Sequence, residues 1–306
     1  MRLLTRADFD GLGCAVLLKQ INMISEIKFV HPKDVQDGKI EVNSDDILAN
    51  LPYVKGCGYW FDNHSSEEER NAYGFFKGTS DPKAFSVSRV IYHYFGGQKT
   101  YSDSHFVDLI DAVDKIGHAE LNTEEIFKPK GWVLLAFIID PRTGLERYKG
   151  YKINFQQFMI DIIDYCRTKS IDEILEMDDV KERVERYLIQ SEKFKEMIIK
   201  NTKIYDKLIV TDLRNQKEIY IGNRFIIYHL HPEQNISIQI MWGLNRQNIV
   251  ITCGHSVLNK TSQVNVGSLM LKYGGGGHKR VGTCQVAVEE ADKVLKELIY
   301  TIINTF

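Results

Sequence analysis

The chain has 306 residues, 43% of them hydrophobic, and a formal net charge of −2. It exceeds one typical domain and carries enough apolar material for a substantial core, so two globular domains are expected and disorder is not. With no global basic field, tight sequence-blind binding of long duplex nucleic acid is not expected, and any polyanionic partner should be small.

The chain opens with an apolar run, 1–5, that ends in Arg6-Ala7-Asp8-Phe9-Asp10-Gly11-Leu12-Gly13 and continues as a helical pattern from Cys14 to Leu18. Two carboxylates are thereby delivered at a strand-to-helix turn, where open α/β proteins put their ligands. A metal or phosphate site is one reading, and a helix cap by Asp10 with Gly11 and Gly13 in the turn is the other. Strand-like runs at 27–30, 47–50 and 58–61 alternate with helical patterns at 87–95 and 106–113, which predicts a parallel sheet flanked by helices.

The run ending at Tyr59-Trp60-Phe61 is followed by Asp62-Asn63-His64-Ser65-Ser66. Placed beside the first turn, Asp62 and His64 suit a divalent cation such as Mn²⁺ or Mg²⁺. Equally, Asp62-Asn63 before Ser65, Ser66 and Glu67 to Glu69 would start a helix well. Farther on, Asp108, Asp111 and Asp114 fall along one helical stripe. Such a stripe needs a facing cation, either a metal or, in an ordinary solvated face, Lys115.

Between 154 and 201 the period is helical only, with Val180, Val184, Leu188, Met197 and Ile198 at three- and four-residue steps, which reads as a helical connector. Strand patterns then return at 208–211, 225–230, 236–241, 249–252 and 283–288, closed by an amphipathic helix at 289–303. The expected fold is α/β: a metal and phosphate domain over 1–153, a connector over 154–203 and a smaller mixed α/β substrate-binding domain over 204–306.

Four consecutive glycines, 274–277, stand before His278-Lys279-Arg280. Ordering them is costly, and their use is to let backbone N–H groups approach an anion, with the basic residues adding donors. His229 and His231 would share a strand face but have no carboxylate near in sequence, so two strand-end histidines are favoured over a chelate. The five cysteines, 14, 57, 166, 253 and 284, are odd in number and unpaired in spacing, giving neither a disulfide frame nor a zinc knuckle. No signal-peptide succession and no apolar run near the roughly twenty residues needed to span a bilayer is visible. A cytoplasmic protein without membrane association is expected.

Together, Asp8-x-Asp10-Gly11, Asp62-Asn63-His64 and the glycine segment with His278 resemble the DHH phosphoesterase family with its DHH-associated carboxyl-terminal domain, over almost the whole chain. More loosely, the sequence is similar to exopolyphosphatase-related and oligoribonuclease-like proteins. The resemblance implies a cytoplasmic hydrolase acting on phosphodiester or phosphoanhydride bonds of small substrates, with one or two Mn²⁺ or Mg²⁺ ions. Short single-stranded oligonucleotides, nucleotide phosphates or polyphosphate would be its substrates, and a homodimer is left open. Asp8, Asp10, Asp62 and Asp114 would hold metal, and His64 and Arg6 would serve catalysis. Asn50, Asn63, Gly275, Gly276, Gly277, His278 and Arg280 would bind substrate. Three positions depart from the family pattern: Arg6 stands for a histidine ligand, Asn50 for a metal-bridging aspartate and Asn63 for the first histidine of the third motif. They motivate a guanidinium in place of one cation, or a second reading in which the chain is a catalytically silent phosphate or nucleotide binder.

Overall fold

The apolar run at the amino terminus forms strand β1 (Arg2–Thr5), buried from Leu3 onward, and Asp8 ends it by capping helix α1 (Phe9–Gln20). The computed structural model describes residues 1–64 and 76–305. Five parallel strands make the first sheet in the order β2-β1-β3-β4-β5, with β2 at Glu26–Phe29, β3 at Asp46–Ala49, β4 at Tyr59–Asp62 and β5 at Gly78–Ser80. The chain order reverses between β1 and β3. In a doubly wound sheet the crevice beyond the carboxyl ends of those two strands is the natural ligand position.

Helix α1 is buried from residue 11 to 18 on every face, because other helices enclose it. They are α3 (Val87–Tyr94), α4 (Ser104–Gly117) and α7 (Phe155–Thr168); α2 (Pro32–Gln36) lies between β2 and β3. Gly11 and Gly13 serve this close approach. A Cβ on Gly11 would lie 2.0 Å from the carbonyl oxygen of Arg6, and one on Gly13 would lie 2.4 Å from the Ser88 hydroxyl.

The chain divides into two compact units, one of Met1–Glu120 with Pro129–Tyr187 and one of Leu121–Lys128 with Leu188–Phe306. The first unit also contains α6 (Gly131–Ile139) and α8 (Ile171–Leu175), and α9 (Asp178–Lys200) runs across the division. The helical stretch expected as a separate connector over 154–203 is therefore shared between the two units. Its physical reason is the apolar stripe of α7, where Phe158, Met159, Ile162, Ile163 and Cys166 are buried and bind that helix to the first core. Short helix α5 (Thr123–Phe127) belongs to the second unit.

The second unit is a six-stranded mixed sheet in the order β10-β11-β9-β8-β7-β6. Its strands are β6 (Thr202–Tyr205), β7 (Leu208–Asp212), β8 (Ile236–Trp242), β9 (Ile249–His255), β10 (Gly276–His278) and β11 (Val281–Val286), with only β7 and β8 parallel. Isoleucines 236, 238, 240, 249 and 251 face one core, shared with Val266 and Met270 of α11 (Val266–Leu271) and Leu298 and Ile302 of α12 (Ala291–Ile303).

One expectation needs correction here. The run 225–230 is not a strand but ends in helix α10 (Ile226–Leu230), so His229 is helical and His231 is its carboxyl cap. A short run buried from 225 to 228 gives no periodicity to separate strand from helix; the turn is set by the Asn223 side chain, which accepts from the Phe225 N–H at 2.8 Å. His229 instead stacks on Phe127, ring centroids 4.6 Å apart. The glycine segment is partly in a strand. Gly276–His278 is an edge strand paired antiparallel to β11, Gly276 opposite Thr283 and His278 opposite Val281.

The glycines also differ in what they serve. A Cβ on Gly275 would meet the Thr283 carbonyl oxygen at 2.2 Å, and one on Gly277, at φ +152°, the Val281 carbonyl oxygen at the same distance. Gly276 has open space around it. Gly275→Ala is expected to destabilise the chain by roughly 1–3 kcal/mol and Gly276→Ala to leave the melting temperature unchanged. Thermal unfolding of the two variants checks this, and equal melting curves would contradict it.

Candidate functional site

The site grows from the carboxyl ends of β1, β3 and β4. Asp8 follows β1 and Asn50 follows β3, and across the reversal point the Asn50 amide donates to Asp8 Oδ1 at 3.1 Å. Asn50 holds φ +58°, a conformation that asparagine tolerates better than most side chains. The Gly11 N–H gives Asp8 Oδ1 a second hydrogen bond of 2.9 Å, and the Arg6 guanidinium lies 3.1 Å from Oδ2. Asp8 is thus the cap that the sequence offered to Asp10, and it carries the guanidinium as well. In this arrangement Asn50 orients Asp8 through its amide.

Asp10 does something different. Its Oδ2 accepts from the Val87 N–H at 2.9 Å, and its Oδ1 accepts from the Ser88 N–H at 2.8 Å and the Ser88 hydroxyl at 2.6 Å. The carboxylate therefore sits on the amino terminus of α3, satisfying backbone donors that have no partner within that helix. Burial pushes its pKa above the ordinary carboxylate range, while the hydrogen bonds from Ser88 and Val87 pull the other way.

Asp62, the last residue of β4, is wholly buried. Its Oδ2 accepts from the His64 N–H at 2.9 Å, and its Oδ1 lies 2.9 Å from His64 Nδ1. A carboxylate only accepts, so Nδ1 carries the proton and Nε2 of the neutral ring is the nitrogen able to take a proton or to ligate a metal. Burial alone would lower the His64 pKa, but the hydrogen bond and charge of Asp62 outweigh it and the net shift is upward. Arg6 and Asp10 are near enough to act on the same imidazole, in opposite directions. Asn63 turns away from this pair, and its amide donates to the Ala84 carbonyl at 3.0 Å. The helix start expected at Ser65, Ser66 and Glu67 to Glu69 lies outside the described residues.

The cation facing the acidic stripe of α4 is Arg89. Its Nε lies 2.7 Å from Asp114 Oδ2, and its guanidinium also pairs with Asp111. The other Asp114 oxygen accepts from the Ser86 hydroxyl at 2.6 Å, and the Ser86 oxygen in turn caps α3 by accepting from the Arg89 N–H. Both oxygens of Asp114 are therefore engaged by α3 and its cap.

Sequence reasoning missed Ser86, Ser88 and Arg89, and also Asp140 and Arg142. Asp140 ends the buried helix α6, accepts from the Arg142 N–H at 2.9 Å and pairs with its guanidinium at 2.7 Å. Arg142 in turn senses the charge of Asp8, which puts a second guanidinium within electrostatic reach of the first motif. A carboxylate closing an apolar run, followed by Pro141 and Gly144, was the signal available in the sequence.

Gly275, Gly276, Gly277, His278 and Arg280 lie in the second unit, on and beside the β10–β11 hairpin. There the Arg280 carbonyl accepts from the His255 N–H at 2.8 Å. Among the described residues, no three His, Cys, Asp or Glu side chains are gathered so as to hold a metal ion. The four expected carboxylate ligands split by partner: Asp10 and Asp114 are committed to α3 and its cap, whereas Asp8 and Asp62 stand at the sheet edge with His64. Two carboxylates at the sheet edge are the donor type that Mn²⁺ or Mg²⁺ takes, without forming a gathered ligand set in this geometry.

No protein-family model and no curated protein sequence matches the chain. Among solved structures, a pGpG-specific phosphodiesterase, PggH, from Vibrio cholerae is 47% identical, aligned over 100% of this chain and 99% of that one, with a TM-score of 0.84. An exopolyphosphatase-related protein from Bacteroides fragilis is 13% identical over 99% of this chain and 92% of its own, with a TM-score of 0.54. RecJ from Thermus thermophilus in complex with Mn²⁺ is also 13% identical, with a TM-score of 0.56, the alignment spanning 100% of this chain and 52% of RecJ. The last two likenesses concern the fold alone. Among the described residues no helix is long and apolar enough to cross a membrane.

Proposed function

The chain belongs to the DHH phosphoesterase family, and from that membership we propose that it hydrolyses the internal phosphodiester of a short 5′-phosphorylated dinucleotide of the pGpG kind. The observation that carries this reading is the 47% identity, end to end, with a phosphodiesterase specific for pGpG. The relatives lend no support to a silent binder.

Asp8 and Asp62 would hold a divalent ion, which when bound polarises a phosphoryl oxygen and lowers the pKa of a water. Around that centre the chain's own groups bind and orient. The Arg6 guanidinium meets Asp8 through its Nε, which leaves its terminal nitrogens for two oxygens of the scissile phosphate. Arg142, fixed by Asp140, adds positive potential on the Asp8 side as charge builds in the transition state. Asp62 keeps the His64 ring turned and its Nδ1 protonated, so that Nε2 is presented to the reacting groups.

Metal analysis of the pure protein after Mn²⁺ loading and gel filtration tests the ion count. One ion per chain is expected, and two tightly held ions would contradict the single-ion site. Incubation with pGpG in Mn²⁺ should yield two GMP per dinucleotide, one water being consumed at the internal phosphodiester.

A further inference from the structure

Beside the Asp62–His64 pair, the segment 81–86 is tied down at three points. The Asp81 N–H donates to the Asp62 carbonyl at 3.0 Å, Asn63 holds the Ala84 carbonyl, and Ser86 caps α3 while bonding Asp114. Phe85 stands in this clamped segment with 56% of its surface exposed, the ring meeting His118 edge-on at 4.4 Å between centroids. Apart from that contact, more than half of the Phe85 surface is left unpacked, and the clamps fix its position relative to the catalytic residues.

The ring borders an open cleft. One lobe, of about 380 Å³, is lined by Asp81, Lys83, Arg89 and His93 as well as Phe85. The adjoining lobe, of about 470 Å³, adds Asp111, Lys115 and Glu120, and Phe85, Arg89 and Asp114 are common to both. Volumes of this size suit a nucleoside. The charges along the walls are mixed: four carboxylates, Asp81, Asp111, Asp114 and Glu120, against the three cations Lys83, Arg89 and Lys115. A phosphate chain would meet repulsion there. A nucleobase would not, because it has an apolar face to lay on an aromatic ring and an edge that carries donors and acceptors together.

We propose that the cleft beside Phe85 is a subsite that stacks a nucleobase of the substrate, with Phe85 as its platform and the mixed wall reading the base edge. This rests on the nucleotide reading above and deepens it. It accounts for Asn63, whose amide is spent on the Ala84 carbonyl: that bond couples the third motif to the segment bearing the platform.

Calorimetric titration of the full chain with pGpG, run beside a turnover assay, tests the subsite. Phe85→Ala should weaken pGpG binding by about tenfold, within the range measured for removing one base–aromatic stack, while Phe85→Tyr keeps wild-type affinity. Wild-type affinity in Phe85→Ala, equal losses in both variants, or no pGpG binding by the wild type would overturn it. The two readings separate cleanly. A wild type that binds pGpG through Phe85 but leaves it uncleaved defeats the phosphodiesterase reading and keeps the subsite; one that cleaves pGpG with an unchanged KM in Phe85→Ala does the reverse.

Discussion

Asp62→Ala is expected to lower kcat on pGpG by at least about a hundredfold, the scale of a lost acid–base group, with the protein still folded. The carboxylate has no solvent exposure and gives both oxygens to His64, one to its N–H and one to its ring. Removing it lets the imidazole rotate, takes away the charge that raises its pKa and deletes one of the two proposed metal donors. Asp62→Asn keeps the shape and one acceptor but not the charge, so it should lie between the wild type and Asp62→Ala. Steady-state kinetics on pGpG, with circular dichroism to confirm folding, provides the check. A kcat for Asp62→Ala within tenfold of wild type would remove the Asp62–His64 pair from the chemistry.

The second large effect is on stability. Asp10→Ala removes the carboxylate that three donors of α3 share, orphaning the N–H groups of Val87 and Ser88 and leaving the Ser88 hydroxyl only the residue-10 carbonyl oxygen as acceptor. Hydrogen bonds to a charged acceptor, together with the desolvation of the orphaned donors, make a loss of about 3 kcal/mol reasonable. Because α3 carries Arg89 and packs on α1, loosening its first turn also loosens the Arg89–Asp114 contact and the segment bearing Phe85. Ser88→Ala should lose part of the same stability, since it deletes one of the three donors and the hydroxyl against which Gly13 packs. Chemical denaturation of both variants measures this. Unchanged stability in Asp10→Ala, accompanied by loss of bound Mn²⁺, would show that the carboxylate serves the metal instead.

The parts of the fold legible in the sequence are those whose patterns are local. Alternating apolar runs placed β1, β3 and β4 within a residue or so, because parallel strands buried on both faces read as short continuous apolar stretches. The 225–230 run failed for the same reason, since burial from 225 to 228 erases the period that separates a strand from a helix. At the site, the placement of Asp8, Asp62 and His64 at the ends of β1 and β4 could be read, because those strands are recognisable. What Asp10 and Asp114 bind could not: their partners, Val87, Ser88, Ser86 and Arg89, come from a helix 25 to 78 residues away in sequence.

The glycine segment shows the same limit from another side. Composition pointed to a backbone that ligands approach, while the structure shows that Gly275 and Gly277 are required by the facing strand β11 and that Gly276 has open space. Which glycine is dispensable for folding depends on pairing register, and register is not a property of four identical letters.

The central claim is that this chain cleaves a 5′-phosphorylated dinucleotide, and the most direct measurement is chromatographic product analysis after mixing the purified protein with pGpG and Mn²⁺, with Asp62→Ala as the control. GMP is expected as the sole nucleotide product, two per pGpG, in the wild type, and a rate at least about a hundredfold lower in the variant. Intact pGpG after prolonged incubation with Mn²⁺ or Mg²⁺, or equal GMP release by wild type and Asp62→Ala, would contradict it.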